Sequence, residues 1–195
     1  MDGAERTGGA PGALRVTAVL ASPHGSGSTA AAAGAVLEGC REAGALCTLV
    51  DLRDGAADGF AAAVEAVEEA DAVVFASPVH RATHTSLLAS FLEHVERGVK
   101  HETRAPLRGK AAAVVMTGAA PEHFLAPEKL RSVLTSFYAV QVLSPSLFLT
   151  GTAFGPDRSL TPGAAGTGVL HGRALVDLAA ACRAGGSIAL LRPLV

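Results

Sequence analysis

Residues Val16 to Val36 read VTAVLASPHGSGSTAAAAGAV. A short β-branched run ends at Ala21. Seven residues rich in Ser, Gly and Pro follow, and then a long run of good helix formers. A strand, a loop of small residues and a helix N-terminus in succession make a binding place for an anion, because the first N–H groups of a helix lack intrahelical partners and point outward. A phosphate is the natural occupant. The loop leaves open which compound carries it.

The rest of the chain repeats the alternation. Strand-like runs are RVTAVLA (15–21), LCTLVDL (46–52), DAVVFAS (71–77), KAAAVVMTG (110–118) and VQVLSPSLFLT (140–150), the last interrupted near Pro145. Helix-like segments separate them. STAAAAGAVLEGCREAG follows the first strand, with Ser28 or Thr29 expected as N-cap and Gly44 as stop. AADGFAAAVEAVEEA, THTSLLASFLEHVERG and PEHFLAPEKLRSVLTSFYA follow, with Pro127 a kink or second start in the last. Leu149 to Gly172 reads as a long loop, and RALVDLAAACRAG as the final helix. The tail GSIALLRPLV is apolar enough to pack on a neighbouring subunit or to cover its own domain.

Five strands alternating with helices predict an α/β fold, a doubly wound five-stranded parallel sheet with helices on both faces. Ligands of such sheets sit outside the carboxyl ends of the strands. The loops after strands one, three and four therefore carry the search for a site.

The chain has 195 residues, enough for one domain at 14–195 behind an N-terminal tail at 1–13. Its first residues, MDGAERTGGAPG, carry acids and no apolar block, so no secretory signal is expected. The three cysteines are odd in number and lack C-x-x-C spacing, the pattern of a reduced, cytoplasmic chain. A formal charge of −2 offers no basic face for nucleic acid. No apolar run of about 18 residues predicts a membrane span.

Three phosphate compounds compete for the first loop. A nucleoside triphosphate loop needs a Lys, and none lies between Ala21 and Ala30. A dinucleotide fingerprint is matched by Gly25, Gly27 and Ala30, with Asp51 at the end of strand two. That pattern should begin at the strand end, whereas Ser22, Pro23 and His24 intervene. A flavin mononucleotide loop uses hydroxyls and backbone N–H groups, and Ser22, Ser26, Ser28 and Thr29 supply four hydroxyls. These are also ordinary loop and N-cap residues.

The other two loops add weight. ASPHGSGST, SPVHRATHTSLL and TGAAPEHFLAPEKLRSVL, each after the right strand, resemble the three loop motifs of the NAD(P)H-dependent FMN reductase family of flavodoxin-like proteins. The likeness is to the flavin reductases that serve alkanesulfonate monooxygenases in particular, and it covers roughly Val16 to Leu149. It implies FMN and NADPH or NADH as cofactors, hydride transfer from nicotinamide C4 to flavin N5, and a homodimer or homotetramer. A flavin-dependent monooxygenase is the implied partner for reduced FMN. The resemblance also leaves open a flavoprotein that keeps its FMN and reduces a quinone or other small acceptor, or a redox-silent ligand-binding relative.

On that resemblance Ser22 and Thr29 contact the FMN phosphate, with His24, Ser26 and Ser28 beside them. Pro78, Val79, His80, Arg81, Ala82 and Thr83 line the ribityl chain and ring. Thr117, Gly118, Ala119, Ala120 and Pro121 flank the isoalloxazine edge with backbone N–H groups. No catalytic side chain is implied, since the cofactors carry the hydride chemistry. This chain departs from the family at His24, where an Arg is usual, and at His80 and His84, where Tyr is frequent. An imidazole lacks the permanent bidentate grip of a guanidinium. The spacing of the seven histidines implies no metal site.

Overall fold

A computed structural model describes residues 12–24 and 27–193. Most of the expected N-terminal tail, and Gly25 and Ser26 of the first loop, lie outside the described residues.

The parallel sheet contains β1 (Arg15–Leu20), β2 (Leu46–Asp51), β3 (Ala72–Pro78), β4 (Ala111–Thr117), β5 (Gln141–Val142) and β6 (Leu147–Leu149). Its order is β2-β1-β3-β4-β5, and β6 also pairs with β4. This is the flavodoxin-like order of a doubly wound sheet, with the order reversing between β1 and β3. β5 pairs with the start of β4 and β6 with its end. They are one fifth strand broken by residues 143–146, where Pro145 withholds an N–H from the ladder.

The helices are α1 (Ser28–Glu42), α2 (Ala61–Glu69), α3 (Ser86–His94), α4 (Ala126–Tyr138) and α5 (Pro162–Ala184). Side chains alternate across a strand, so each central strand feeds two cores. Val73, Phe75, Val114 and Met116 pack with Phe60, Phe91, Leu130 and Leu134 under α2, α3 and α4. Val16, Ala18, Val74 and Val115 pack with Val36, Leu37, Leu175 and Ala179 under α1 and α5. All seven residues of β4 are buried, as expected of a central parallel strand covered on both faces.

Two expectations need correction. The segment Leu149 to Gly172 is not one long loop, because α5 begins at Pro162, capped by the Thr161 hydroxyl, which accepts from Ala164 N at 3.4 Å. Four glycines in that first half disguise the helix, since Gly weakens helix propensity. They have a packing reason. A Cβ on Gly172 would stand 2.0 Å from the Val36 carbonyl oxygen, and one on Gly168 would stand 2.7 Å from Ala35 Cβ. Gly39 of α1 meets the Val169 backbone in the same way, at 2.0 Å from its oxygen. The two helices thus touch backbone to backbone.

The second correction concerns α1. Its N-cap is Gly27, with no side-chain cap, rather than Ser28 or Thr29. The Thr29 hydroxyl is engaged elsewhere, as described below. α4 does take Pro127 into its first turn after a separate short 3₁₀ turn at Pro121–His123. At the C-terminal end Ile188 packs against the α1/α5 core, while Leu190 and Leu191 stay exposed.

Candidate functional site

The loops after β1, β3 and β4 meet at one edge of the sheet, and hydrogen bonds tie each to the others. Thr85 Oγ1 donates to the Ala21 carbonyl at 2.9 Å and so joins the second loop to the first. It also accepts from Leu88 N at 3.3 Å as the cap of α3, while Thr85 N donates to Ser77 Oγ at 3.1 Å. The hydroxyls of Thr29 and Thr117 lie 2.6 Å apart and join the first loop to the third. Val79 N donates to the Thr117 carbonyl at 2.8 Å and joins the second to the third. Thr29, Ser77, Thr85 and Thr117, which supply these hydroxyls, are all buried. Buried hydroxyls are costly unless bonded, so the network holds the loops in one arrangement.

The first loop presents an uncapped helix end. Ser22 is buried, Ser28 is half-buried, and Pro23 and His24 are exposed. Ala31 N is the first α1 donor bonded within the helix, to Gly27 O at 2.9 Å. The N–H groups of residues 28–30 therefore face outward with the positive end of the helix dipole behind them. No acidic side chain stands in the first turn to repel an anion.

The second loop is a tight two-residue turn. His80 N donates to Thr83 O at 2.8 Å and Thr83 N returns a bond to His80 O at 3.1 Å. Arg81 and Ala82 between them have φ of 50° and 59°. Both central residues are thus left-handed, the type I′ geometry that normally calls for Gly or Asn. Such backbone strain persists where surrounding structure over-determines it, often beside a ligand. The turn forms one wall of an open cleft of about 700 Å³ that also reaches Val79, His84 and Thr85. Burial, and then the charge of Lys129, hold the His84 imidazolium below its ordinary pKa. The Nδ1 of that ring lies 3.3 Å from Thr83 Oγ1.

The third loop narrows the expected donors. Gly118 N donates to the Leu149 carbonyl at 2.9 Å, so it is spent on the sheet. Pro121 has no N–H. Ala119 N and Ala120 N have no acceptor among the described residues, and they remain as free donors on this loop. Gly118 is needed for contact: a Cβ there would stand 2.8 Å from Cζ of Phe148. Phe148, on β6, backs this loop and has no counterpart in the three loop motifs.

One side chain from outside the three loops also reaches the first. Arg158, between β6 and α5, places Nη1 3.5 Å from the position a Cβ on Gly27 would take. Thus Ser22, Ser28, Thr29, the 80–83 turn and residues 117–120 do converge on one edge. His24 faces solvent, Pro121 offers no donor, and Ser26 lies outside the described residues. Phe148 and Arg158 were missed, and no local motif signals either.

The donor set fits FMN. Its phosphate matches hydroxyls and outward N–H groups at the dipole's positive end, and its ring edge matches free N–H groups on the third loop. A dinucleotide would require the helix to start close behind β1, whereas the loop here runs from Ala21 to Gly27.

Comparisons with known proteins agree. The family described as NADPH-dependent FMN reductase matches residues 14–154. No curated protein matches the sequence. Among solved structures, an oxidoreductase from Corynebacterium diphtheriae superposes with a TM-score of 0.67 at 19% identity, over 89% of this chain and 99% of that one. An NADH:FMN oxidoreductase in its apo form gives 0.64 at 21% identity, over 88% and 89%. A flavodiiron protein from Giardia intestinalis gives 0.67 at 22%, with 87% of this chain spanning only 37% of that one. At such identities these likenesses establish the fold alone. The family match covers most of the chain and includes all three loops. On that ground the chain belongs to the NADPH-dependent FMN reductase family, whose cofactors are FMN and a nicotinamide nucleotide.

Proposed function

We propose that this protein reduces FMN with NADPH or NADH and passes the reduced flavin to a flavin-dependent monooxygenase. The observation that carries the reading is the set of three hydrogen-bonded loops around the uncapped N-terminus of α1. When bound, FMN supplies the hydride acceptor at N5 and the nicotinamide supplies the hydride from C4.

The residues of the chain position and polarise. Ser22, Ser28 and Thr29, with the N–H groups of residues 28–30, bind the phosphate. If Thr117 donates in the Thr29–Thr117 pair, the Thr29 proton is free to point at that phosphate. Pro78 to Thr83 shape the ribityl and ring wall, with the turn fixed by its two backbone bonds. Ala119 and Ala120 offer N–H groups to the ring edge, where negative charge develops on reduction. Holding two reactants in register in this way can be worth about 7–11 kcal/mol of barrier at the upper end.

The alkanesulfonate system is the partner class suggested by the loop motifs. Exposed Phe124 (62%) and Leu125 (59%), just past the third loop, support a homodimer or homotetramer. Among the described residues no helix is long and apolar enough to cross a membrane.

Nicotinamide oxidation by the purified protein, with and without added FMN, tests the reading. Turnover proportional to free FMN is expected. Turnover that needs a quinone, with FMN already held, would replace it by a self-contained flavoenzyme. Absence of both FMN binding and turnover would end the reductase reading.

A further inference from the structure

The first loop, residues 21–27, carries no Lys or Arg. Its one histidine, His24, faces solvent. An anion site with only hydroxyls and N–H groups lacks a fixed positive charge. Elsewhere in the fold, one guanidinium comes to the same spot.

We propose that Arg158 is the cation that binds the FMN phosphate in this protein, supplied from the β6–α5 loop instead of the first loop. The inference rests on the FMN reading above and adds a residue to that site.

Four observations carry it. Arg158 Nη1 is 3.5 Å from the Cβ position of Gly27, the residue that opens α1. The guanidinium makes no ion pair or hydrogen bond with any described residue, so its donors are available. Its acidic neighbour is occupied: Asp157 Oδ1 accepts from Ser159 N at 3.1 Å and Ser159 Oγ at 2.6 Å. Finally, the loop is built rather than loose. Phe154 and Leu160 form an antiparallel bridge, Gly155 N donates to Ser159 O at 2.8 Å, and Arg158 N donates to Gly155 O at 2.9 Å.

The backbone sharpens the argument. Arg158 sits at φ 64°, in the left-handed region that a glycine would occupy without strain. An arginine held there at a cost is explained if its side chain is needed. The residue also lies beyond the segment 14–154 that matches the family, so the family's loop motifs do not account for it. A guanidinium presents five donors in a planar fork and can hold a phosphate through two of them at any physiological pH. It restores the permanent charge that His24 does not provide.

The test is a binding titration by flavin fluorescence quenching, with FMN and riboflavin as probes, on wild type, R158G and R158K. Riboflavin has the same ring and ribityl chain but no phosphate. R158G suits the backbone, so its thermal stability should equal or exceed that of wild type. It should bind FMN at least about tenfold more weakly, the usual size of a lost charge-assisted hydrogen bond, with riboflavin affinity unchanged. R158K should fall between, keeping the charge but not the fork. FMN affinity of R158G within about twofold of wild type would overturn the proposal, since charge-assisted bonds carry more than that. So would equal losses for FMN and riboflavin, which would make Arg158 a structural residue. A defect confined to NADPH over NADH, with FMN binding intact, would assign the guanidinium to the nicotinamide's extra phosphate and overturn it too. Failure of the wild type to bind FMN at all would bring down the underlying reading, a result distinct from an unaffected R158G.

Discussion

Thr29 and Thr117 come from distant parts of the sequence and their hydroxyls meet at 2.6 Å, buried between the first turn of α1 and the end of β4. Each is nearly inaccessible to solvent. Thr117→Val keeps the shape and removes one partner, leaving the Thr29 hydroxyl alone. A loss of about 1–2 kcal/mol in unfolding free energy is expected, the cost of an unmade buried hydrogen bond. FMN should bind several-fold more weakly, because the loop proposed to hold its phosphate loses an anchor. Urea unfolding and flavin titration of Thr29→Val, Thr117→Val and the double variant measure the coupling. Additive losses would show that the two hydroxyls do not act together.

The 80–83 turn holds Ala82 at φ 59° with no glycine to relieve it. Replacing Ala82 with Gly removes a left-handed penalty of roughly 1–2 kcal/mol and adds some chain entropy to the unfolded state. The variant should be more stable by about 1 kcal/mol, or at worst neutral, in chemical denaturation. A clear destabilisation would mean that the Ala82 methyl makes contacts that outweigh its strain.

Gly172 and Gly39 make the two tightest glycine contacts between α1 and α5. A Cβ on Gly172 would stand 2.0 Å from Val36 O and 2.8 Å from Cys40 N. Gly172→Ala therefore has to push two helices apart. The expected loss is about 3 kcal/mol or more, at the high end for overpacking. Calorimetry should show a melting temperature lower by roughly 6–12 °C in a chain of this size. Gly163, where nothing lies within 4 Å, is the control, and Gly163→Ala should be neutral or stabilising.

His84 gives the fold a pH dependence. Burial and Lys129 disfavour its charged form, so its pKa is lower in the folded chain than the ordinary histidine value of 6.5. Below pH 6.5 the unfolded chain then binds more protons than the folded one, and stability falls as the pH drops. Above 6.5 both states hold a neutral ring and the contribution is flat. His84→Gln should weaken the acid-side decline in a series of melting curves between pH 5 and 7.5, about the range in which histidines titrate. An unchanged slope would show that other groups cause it.

Strand identity was legible because the buried central strands leave apolar runs, and Pro145 marked the break between β5 and β6. The three loops were legible because each follows its strand directly. The first half of α5 was not, since the glycines that let it touch α1 are the ones that argue against a helix. The donors of the third loop were only partly legible. Gly118 looked available, and only the tertiary bond to Leu149 O removes it. Arg158 was illegible for a similar reason: a loop arginine has no periodicity, and its neighbour Gly27 is distant in sequence.

The glycine contact between α1 and α5 has a mechanical side. At about 1.5 Å per residue, Gly39 lies roughly 16 Å along the helix axis from Ser28. The helix is wedged at that far point by the Val169 backbone. It therefore behaves as a strut braced at its rear, with the turn proposed to bind the phosphate at its tip. Any substitution that shifts the brace moves the tip by a similar amount, and affinity for a phosphate can change at a distance without one contacting atom being altered.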